Sequence, residues 1–396
     1  MARFNSTPTL FLLFCKFRTT PLPASFHSRC PFRFALHQRI QRIVRLWLIS
    51  DKWGAAVDAP NEDAPNRDAP NECVVDVRDL AVTYSSRNTP PIHALDGVSL
   101  QLRAGEVLGI LGESGSGKST LAAALLRSLP THAARTSGSI FIGGRDLLQL
   151  SERNLRSLRG REISLIPQDP ALALNPVLTV GSQIAEVLRA HLHLRVRQRR
   201  ERVLRLLREV GFDRPEEIYS AYPHQLSGGQ RQRVAIAQAI ACHPSVLVAD
   251  EPTSKLDASL QTEIIALLQR IRQQHQTTVL LITHDPSLLA GFADRIAVMY
   301  AGRIIEVGSS VQIFSRPLHP YTQALVRIAA SSVLHNSATK VRLAAIDGDP
   351  PNPTTLPPGC RFEPRCSERM DICSRRYPTS FLPEPSRPVN CFKYGE

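Results

Sequence analysis

Residues 112–120 restrict the fold of this chain more than any other stretch. They are Gly112, Glu113, Ser114, Gly115, Ser116, Gly117, Lys118, Ser119 and Thr120. The apolar residues 107–111 predict a buried strand before the stretch, and the Ala- and Leu-rich residues 119–127 predict a helix after it. Glycines let backbone N–H groups converge on phosphate oxygens, and a helix N-terminus adds partial positive charge. The stretch therefore predicts a phosphate-binding loop between a strand and a helix.

The last residues of this loop predict the chemistry of the phosphate site. We expect Lys118 to reach the β- and γ-phosphates of a nucleoside triphosphate, and the hydroxyl of Ser119 to ligate Mg²⁺. The alternative is that the segment is an ordinary glycine-rich connection in which Lys-Ser occurs by chance. The predicted strand and helix argue against this, because both fall where a phosphate-binding loop requires them. The sequence thus predicts that the chain binds a nucleoside triphosphate.

Two further apolar runs end in polar residues that suit phosphate hydrolysis. Residues 246–249 precede Asp250 and Glu251, and residues 279–282 precede Thr283 and His284. Strands that alternate with helices, each with polar residues at its carboxyl end, indicate a parallel α/β sheet with a site along that edge. We predict that Asp250 binds Mg²⁺ and that Glu251 is the general base for the attacking water. An ordinary polar turn is the alternative explanation of this carboxylate pair.

Two other segments carry polar groups that suit the same site. Gln168, between two prolines in Ile-Pro-Gln-Asp-Pro, is a candidate to contact Mg²⁺ or the attacking water through its amide. Residues Ser227, Gly228, Gly229 and Gln230 precede a helix that the pattern predicts from Val234. Their backbone N–H groups and the serine hydroxyl predict a second anion site at a helix start.

Weaker patterns predict the elements around this sheet. Alternating apolar and polar residues at 74–84 and 98–102 indicate antiparallel strands that lead into the strand at 107–111. Helical periodicity covers 181–211 and 260–271, and the Pro-rich residues 347–359 are expected to be irregular.

The net charge of +13 is concentrated at the N-terminus. The first 52 residues carry nine Lys or Arg and one acid, which leaves +5 for the remaining 344 of the 396 residues. That mild excess does not by itself indicate nucleic-acid binding. No run of about 18 apolar residues occurs, so we expect no membrane-spanning segment.

The N-terminal residues are not expected to join a folded core. Residues 39–49 fit a short basic amphipathic helix that would lie on an anionic membrane surface. A disordered arm, or residues upstream of the true start of translation, is the interpretation that the composition favours. Three copies of Asp-Ala-Pro-Asn, from residues 58, 63 and 68, predict an extended linker, and folded structure is expected from about Cys73.

The segments above stand in the order typical of ABC ATPases, and the chain resembles that family over about residues 74–330. In the terms used for the family, the matching segments are the P-loop at Gly112, the Q-loop at Gln168, the signature at 226–230, Walker B at Asp250 and Glu251, the D-loop at 254–257, the switch histidine His284, and Tyr84 as the aromatic residue that stacks on adenine. Lys255 departs from the family, which more often has Ala there, so we expect communication through the D-loop to differ.

The resemblance implies a set of site residues and a pairing of two ATPase domains. It implies that ATP lies between the P-loop of one subunit and the signature of another, contacted by residues 112–120, Tyr84 and residues 227–230. Ser119, Gln168 and Asp250 would hold Mg²⁺. Glu251, His284 and Gln168 would be the catalytic residues.

Flanking segments resemble more narrowly the ATP-binding subunits of dipeptide and oligopeptide importers. These segments are Gln168-Asp169-Pro170, Leu174-Asn175-Pro176, Tyr222-Pro223-His224, His319-Pro320-Tyr321-Thr322, and a tail with Cys360, Cys366, Cys373 and Cys391. In some members of that family the tail carries a [4Fe-4S] cluster. The spacing C-x5-C-x6-C-x17-C suits four thiolates on an iron–sulfur cluster or on zinc, and unligated thiols are the third alternative.

The resemblance also implies a function and partners. The chain would hydrolyse ATP at the cytoplasmic face of the inner membrane, as a peripheral subunit of a di- or oligopeptide importer. Its partners would be two transmembrane permease subunits, a second ABC ATPase that is more often a different chain, and indirectly a solute-binding protein, with no nucleic acid. Nickel, glutathione or another small solute is an alternative cargo.

Two other functional classes are alternatives to a transport motor. A soluble ABC ATPase that acts on DNA or ribosomes would have long heptad insertions, a tandem second ATPase domain or a basic groove, and the sequence shows none of these. The cysteine tail is alternatively a redox sensor that gates the ATPase.

The expected fold is α/β, a P-loop NTPase (ABC ATPase) core with an antiparallel β subdomain, a helical subdomain and a small cysteine-bearing C-terminal extension. We place an arm and linker at 1–72, the ATPase domain at 73–330 and the extension at 331–396. The helical subdomain is expected at about 170–230.

Overall fold

The computed structural model describes residues 72–86, 89–130, 134–334 and 346–395. The predicted N-terminal arm, its amphipathic segment at 39–49 and the Asp-Ala-Pro-Asn repeats lie outside these residues. None of the helices in the described part of the chain combines the length and the apolarity that crossing a bilayer requires.

The strands of the described chain form two sheets. In chain order they are β1 Cys73–Ser86, β2 Thr89–Arg103, β3 Val107–Leu111, β4 Ala134–Ile142, β5 Arg145–Asp146, β6 Ile163–Ile166, β7 Val246–Asp250, β8 Thr278–Thr283, β9 Arg295–Tyr300, β10 Arg303–Ser309, β11 Phe381–Glu384 and β12 Arg387–Val389. The helices are α1 Lys118–Leu125, α2 Glu152–Leu158, α3 Pro170–Ala173, α4 Val180–His191, α5 Val196–Glu209, α6 Pro215–Ser220, α7 Gly228–Ala239, α8 Ala258–His275, α9 Pro286–Leu289, α10 Ser310–Ser315, α11 Pro320–Leu334 and α12 Asp371–Arg375. Short 3₁₀ turns occupy Leu147–Gln149, Pro223–Gln225, Glu363–Arg365 and Phe392–Tyr394.

The large sheet has eight strands in the order β11-β12-β10-β9-β3-β8-β7-β6. Its pairs from β9 through β3, β8 and β7 to β6 are parallel, as the alternation of strands and helices predicted. Leu111 lies opposite Thr283, and Asp250 lies opposite Ile282. This register brings the phosphate loop, the carboxylate pair and His284 to the same edge of the sheet.

The strand β3 shows how the large sheet separates two hydrophobic cores. Val107 and Leu111 belong to the core shared with α4, α5, α7 and α8. Leu108 and Ile110 belong to the core shared with α1, α2 and the small sheet. Successive side chains of a strand point to opposite faces, so a continuous apolar run supplies both cores. The small sheet is antiparallel, in the order β2-β1-β4-β5, which confirms the strands predicted at 74–84 and 98–102.

Several helix boundaries differ from the sequence prediction because caps decide them. The helix after the phosphate loop ends at Leu125 instead of residue 127, since Arg127 has a left-handed φ of 47°. The region 181–211 is two helices, broken by the extended backbone of Leu192 at the end of α4. The helix predicted at 260–271 is longer at both ends and spans Ala258–His275. Asp257 caps its N-terminus, and Gln276, in the left-handed conformation, ends it.

The largest boundary error concerns the helix predicted from Val234. It begins six residues earlier, at Gly228. Ser227 Oγ accepts a hydrogen bond from the Gln230 backbone N–H at 3.2 Å, and the Gln230 side chain accepts one from the Ser227 N–H at 2.9 Å. This reciprocal capping box lets polar and glycine residues form the first helical turn. The Pro-rich residues 347–359 form no helix or strand, as predicted.

The C-terminal extension continues the large sheet. Strand β12 pairs with β10, with Val389 opposite Glu306. Arg387 donates to Glu306 at 3.0 Å, and both side chains are fully buried. The backbone N–H groups of Leu318 and His319 also donate to the Glu306 carboxylate, each at 2.9 Å. A buried ion pair therefore joins the extension to strand β10 of the ATPase domain.

We expect Arg387→Met to destabilise the folded chain by about 3–5 kcal/mol, because it leaves the Glu306 charge buried without its partner. Urea denaturation followed by circular dichroism measures the shift of the midpoint. Arg316→Gln is the matched control, since it removes an exposed ion pair to Glu384 in the same extension. Equal midpoints for Arg387→Met and the wild type would contradict the role given to the buried pair.

Candidate active site

The phosphate loop takes a conformation that requires glycine. Gly115 and Gly117 have φ values of 78° and 103°. A Cβ on Gly117 would lie 2.4 Å from the Ala94 carbonyl oxygen, and one on Gly112 would lie 2.2 Å from the Met299 carbonyl oxygen. The loop is therefore packed directly against neighbouring backbone, and α1 begins at its last residues.

Lys118 is held inside this loop. Its side chain ammonium donates to the carbonyl oxygens of Gly112 at 2.8 Å and Glu113 at 2.9 Å, and the residue is only 5% exposed. Burial lowers the pKa of Lys118, while the carboxylates of Glu251 and Asp250 act in the opposite direction. A positive charge thus lies at the loop, next to the carboxylate pair, as the predicted contact to phosphates requires.

Ser119 and Asp250, two of the three predicted Mg²⁺ ligands, lie together. The Ser119 hydroxyl donates to Asp250 Oδ1 at 3.3 Å. Burial raises the pKa of Asp250, and the hydrogen bond from Ser119 opposes that shift. A hydroxyl and a carboxylate are oxygen donors of the kind that Mg²⁺ binds, so this pair fits the ion. Gln168, the third predicted ligand, contacts Glu251 instead.

Glu251 is held from both sides by the other two predicted catalytic residues. Gln168 Nε2 donates to Glu251 Oε2 at 2.9 Å, and His284 Nδ1 lies 3.0 Å from Oε1. An ionised carboxylate only accepts, so His284 donates from Nδ1. The backbone of Glu251 is left-handed, with φ 45°, and its N–H donates to the Ile282 carbonyl at 2.9 Å. Such a conformation is costly and is found preferentially at functional sites. The structure brings the three residues together, and their catalytic roles stay a prediction.

A cavity of about 700 Å³ opens over the loop. Its lining includes residues 113–120, Gln168, Glu251 and His284 from the predicted set. Tyr84 also lines it, with its hydroxyl 3.5 Å from Thr120 Oγ1. The volume suits a ligand of nucleotide size. Stacking of Tyr84 on adenine stays a prediction.

The signature segment lies apart from this cavity. Among the described residues that line the cavity, none comes from 226–230. Ser227 and Gly228 are exposed at the N-terminus of α7. The two predicted anion-binding segments therefore do not line the same cavity within one copy.

Lys255, where the sequence departs from the ABC pattern, forms an ion pair with Asp169. Asp169 follows Gln168 directly and caps α3 by accepting from the Ala171 N–H at 3.0 Å. The hydrogen bond from Lys255 holds the pKa of the Asp169 carboxyl below its usual range. The D-loop is thus linked to the Gln168 segment by a contact that an alanine would not make.

Sequence reasoning missed the part of the site that comes from the C-terminal extension. Pro350, Pro351 and Pro353 line the cavity, and the His93 N–H donates to the Pro353 carbonyl at 3.3 Å. Prolines in an irregular segment carry no pattern that indicates which surface they cover. The contact of Arg365 with the loop residue Glu113 was missed for the same reason.

The four tail cysteines line one small cavity, but the structure gives no support for a metal centre there. Cys360, Cys366, Cys373 and Cys391 lie around this cavity with Phe362. Burial raises the pKa of Cys360 to about 11, and burial also raises the pKa of Cys366 and Cys391. Within the described ranges, no three His, Cys, Asp or Glu side chains are grouped so that they could hold a metal ion.

Two family models match the chain. The model described as ABC transporter matches residues 95–254, and the model described as oligopeptide/dipeptide transporter, C-terminal region, matches residues 305–373. The second match includes three of the four tail cysteines and Arg365.

Curated relatives align along most of the chain. The oligopeptide transport ATP-binding protein AppD of Bacillus subtilis is 42% identical over 79% of this chain and 95% of its own length. The dipeptide transport ATP-binding protein DppD of the same organism is 42% identical over 81% and 95%, and the oligopeptide transport ATP-binding protein OppD of Salmonella typhimurium is 41% identical over 81% and 93%. The chain belongs to the ABC transporter ATP-binding family. It is an ATPase, as its sequence motifs predicted.

A solved structure supports the fold of this ABC ATPase. The dimeric structure of a post-hydrolysis state of the ATP-binding cassette MJ0796, bound to ADP and Pi, has a TM-score of 0.54 and 31% identity. It covers 60% of this chain and 98% of that chain. The predicted ABC ATPase core is confirmed, and the exact domain boundaries stay a prediction.

Proposed function

We propose that this ABC ATPase binds MgATP in the cavity above its phosphate loop and hydrolyses it to power import of di- or oligopeptides. The observation that carries the proposal is the meeting of Lys118, the Ser119–Asp250 pair and the clamped Glu251 at one sheet edge. The names of the relatives AppD, DppD and OppD support peptides as the cargo.

Phosphate binding follows from the loop. Its N–H groups and the Lys118 ammonium would hold the β- and γ-phosphates. Ser119 and Asp250 would hold Mg²⁺, which neutralises charge on the phosphate oxygens when it is bound. Burial lowers the pKa of Lys118, and a nearby anion raises it. A bound phosphate would therefore favour the charged form of Lys118.

Hydrolysis follows from the carboxylate clamp. Glu251 would accept a proton from water as the water oxygen bonds to the γ-phosphorus and the bond to the β-phosphate oxygen breaks. Gln168 and His284 would keep the Glu251 carboxylate aimed at the water, since each holds one of its oxygens. Gln168 is proposed to contact Mg²⁺ as well, when a second ATPase subunit closes over the site.

Completion of the site requires a second ATPase subunit. We infer that residues 227–230 of each subunit face the phosphate loop of the other, because Ser227 and Gly228 at the start of α7 are exposed and lie outside their own cavity. The second ATPase is proposed to be a different chain.

Apolar residues near Gln168 support a permease partner. Leu172 is 86% exposed and Val177 is 74% exposed, and Leu178 is partly exposed beside them in the chain. Exposed apolar side chains that cluster in one segment mark interaction surfaces. We propose that membrane permease subunits cover this surface, which would place the ATPase at the cytoplasmic face of the membrane. Movement of the Gln168 segment would then couple permease and ATPase.

Purification of the chain from its native membranes, followed by mass spectrometry and peptide-uptake assays, tests the function. We expect two permeases, a second ATPase and a solute-binding protein to co-purify or to be required, with ATP hydrolysis stimulated by di- or oligopeptide. If only nickel or only glutathione stimulates ATP hydrolysis, that solute and not a peptide is the cargo. Recovery with ribosomes or nucleic acid and without permeases would contradict the proposal.

We propose that the four tail cysteines hold a [4Fe-4S] cluster, because all four residues line one cavity, although in the described chain their side chains are not grouped closely enough to form a metal site by themselves. The full chain purified without oxygen is then expected to contain about four irons and four acid-labile sulfides, and Cys373→Ser is expected to lose them. Cys242→Ser, which lies outside the tail, is the matched control. Bound zinc, or colourless metal-free protein, would contradict the cluster.

A further inference from the structure

An arginine of the C-terminal extension contacts the phosphate loop. The two terminal nitrogens of Arg365 donate to the two carboxylate oxygens of Glu113, at 2.8 Å and 3.1 Å. The Arg365 side chain is only 6% exposed, and it also donates to the Tyr300 hydroxyl at 3.2 Å and to the Asp347 carbonyl at 3.1 Å. This bidentate arrangement is the geometry in which arginine binds a carboxylate most strongly.

The backbone of Glu113 is held as well. Its N–H donates to the Tyr321 hydroxyl at 2.9 Å, and its carbonyl accepts from Lys118 at 2.9 Å. Glu113 is therefore held through its carboxylate, its N–H and its carbonyl. The carboxylate contact is the one that comes from the extension.

The charge of Glu113 would oppose the function of the loop if it were left alone. Glu113 lines the cavity that is proposed to hold a polyphosphate, and a carboxylate repels phosphate oxygens at short range. The paired Arg365 cancels that charge. Because the pair is largely screened from water, the cancellation is stronger than at the surface.

We propose that Arg365 is a positioning residue for nucleotide binding: it neutralises Glu113 and fixes the phosphate loop in its binding conformation. The inference rests on the proposed nucleotide function of the loop. It gives the C-terminal extension a direct part in the ATP site. A purely structural role, in which Arg365 only docks the extension, predicts different results in the experiment below.

Calorimetric titration of the full chain with MgATP tests the proposal. We expect Arg365→Gln to weaken ATP binding about 10- to 100-fold, because Glu113 then keeps an unpaired charge beside the phosphates. Arg365→Lys retains the charge without the fork, so an intermediate loss is expected. In the assembled transporter, Arg365→Gln should raise the KM for ATP and change kcat by less than about threefold.

A second substitution separates charge neutralisation from docking. Glu113→Gln combined with Arg365→Gln removes both charges, and we expect it to restore affinity to within about threefold of the wild type. The affinity of Glu113→Gln alone completes the double-mutant cycle, which gives the coupling between Arg365 and Glu113. Arg387→Met breaks the buried pair to Glu306 that joins the extension to β10, outside the nucleotide cavity, and the protein that stays folded should keep the ATP affinity of the wild type.

Two results would overturn the inference. The first is wild-type affinity in Arg365→Gln. The second is an equal loss of affinity in Arg365→Gln and in Arg387→Met that Glu113→Gln does not rescue, since undocking of the extension would produce that pattern. Failure of the wild-type chain to bind ATP would instead overturn the proposed function, so the two failures are distinguishable.

Discussion

Substituting Glu251 with Gln is expected to lower ATP turnover in the assembled transporter by about 10²–10⁴-fold and to leave ATP binding intact. Glutamine has the shape of the carboxylate and keeps one acceptor oxygen for His284, and its NH2 group can donate to Gln168 once the Gln168 amide turns its oxygen towards it. It cannot accept the proton of the attacking water. The phosphate contacts from the loop and Lys118 are unaffected. Phosphate release measures turnover, and nucleotide titration measures binding.

The matched control is Glu263→Gln, which removes a carboxylate on α8 that pairs with Arg233 at 2.7 Å. This residue lies outside the cavity lining, so turnover should remain at the wild-type level. Near-normal hydrolysis by Glu251→Gln in the assembled complex would rule out Glu251 as the general base. Loss of ATP binding in that variant would mean that Glu251 acts mainly on the conformation of the loop.

Substituting Lys118 with Ala is expected to weaken ATP binding by at least about a hundredfold, because a charge buried against the phosphates is removed. The substitution also leaves the carbonyls of Gly112 and Glu113 without their donor, so the loop itself is expected to loosen. Titration with MgATP measures the dissociation constant, and circular dichroism checks that the remaining fold is intact.

Lys393→Ala is the control for loss of a lysine. Lys393 pairs with Glu368 in the extension, away from the nucleotide cavity, and its removal should leave ATP affinity unchanged. An unchanged dissociation constant in Lys118→Ala would argue that the cavity is not the phosphate site.

Local patterns predicted the strands well because those strands are buried on both faces. The run at 107–111 matches β3 at both ends, and the predicted strand at 279–282 is one residue shorter at each end than β8. Helix ends were predicted less well, because a cap depends on a few polar contacts. The sequence predicted a helix from Val234, whereas the reciprocal hydrogen bonds of Ser227 and Gln230 allow the helix to begin at Gly228.

By itself, the sequence determined the phosphate loop, the alternation of strands and helices, and the identity of the polar residues at the strand ends. Those features are local, since glycine spacing and apolar runs act over a few residues. Only the tertiary structure showed that Gln168 and His284 hold the same carboxylate, because residues 83 and 33 positions away in the chain meet through sheet register.

The contact between the C-terminal extension and the phosphate loop was likewise visible only in the tertiary structure. Arg365 lies 252 positions from Glu113, and nothing in the local pattern of an arginine indicates its partner. The contact joins the phosphate loop to a turn at Glu363–Arg365 in the extension. Long-range ion pairs follow from the packing of whole elements, and for that reason the sequence predicted the phosphate site but not the arginine that holds it.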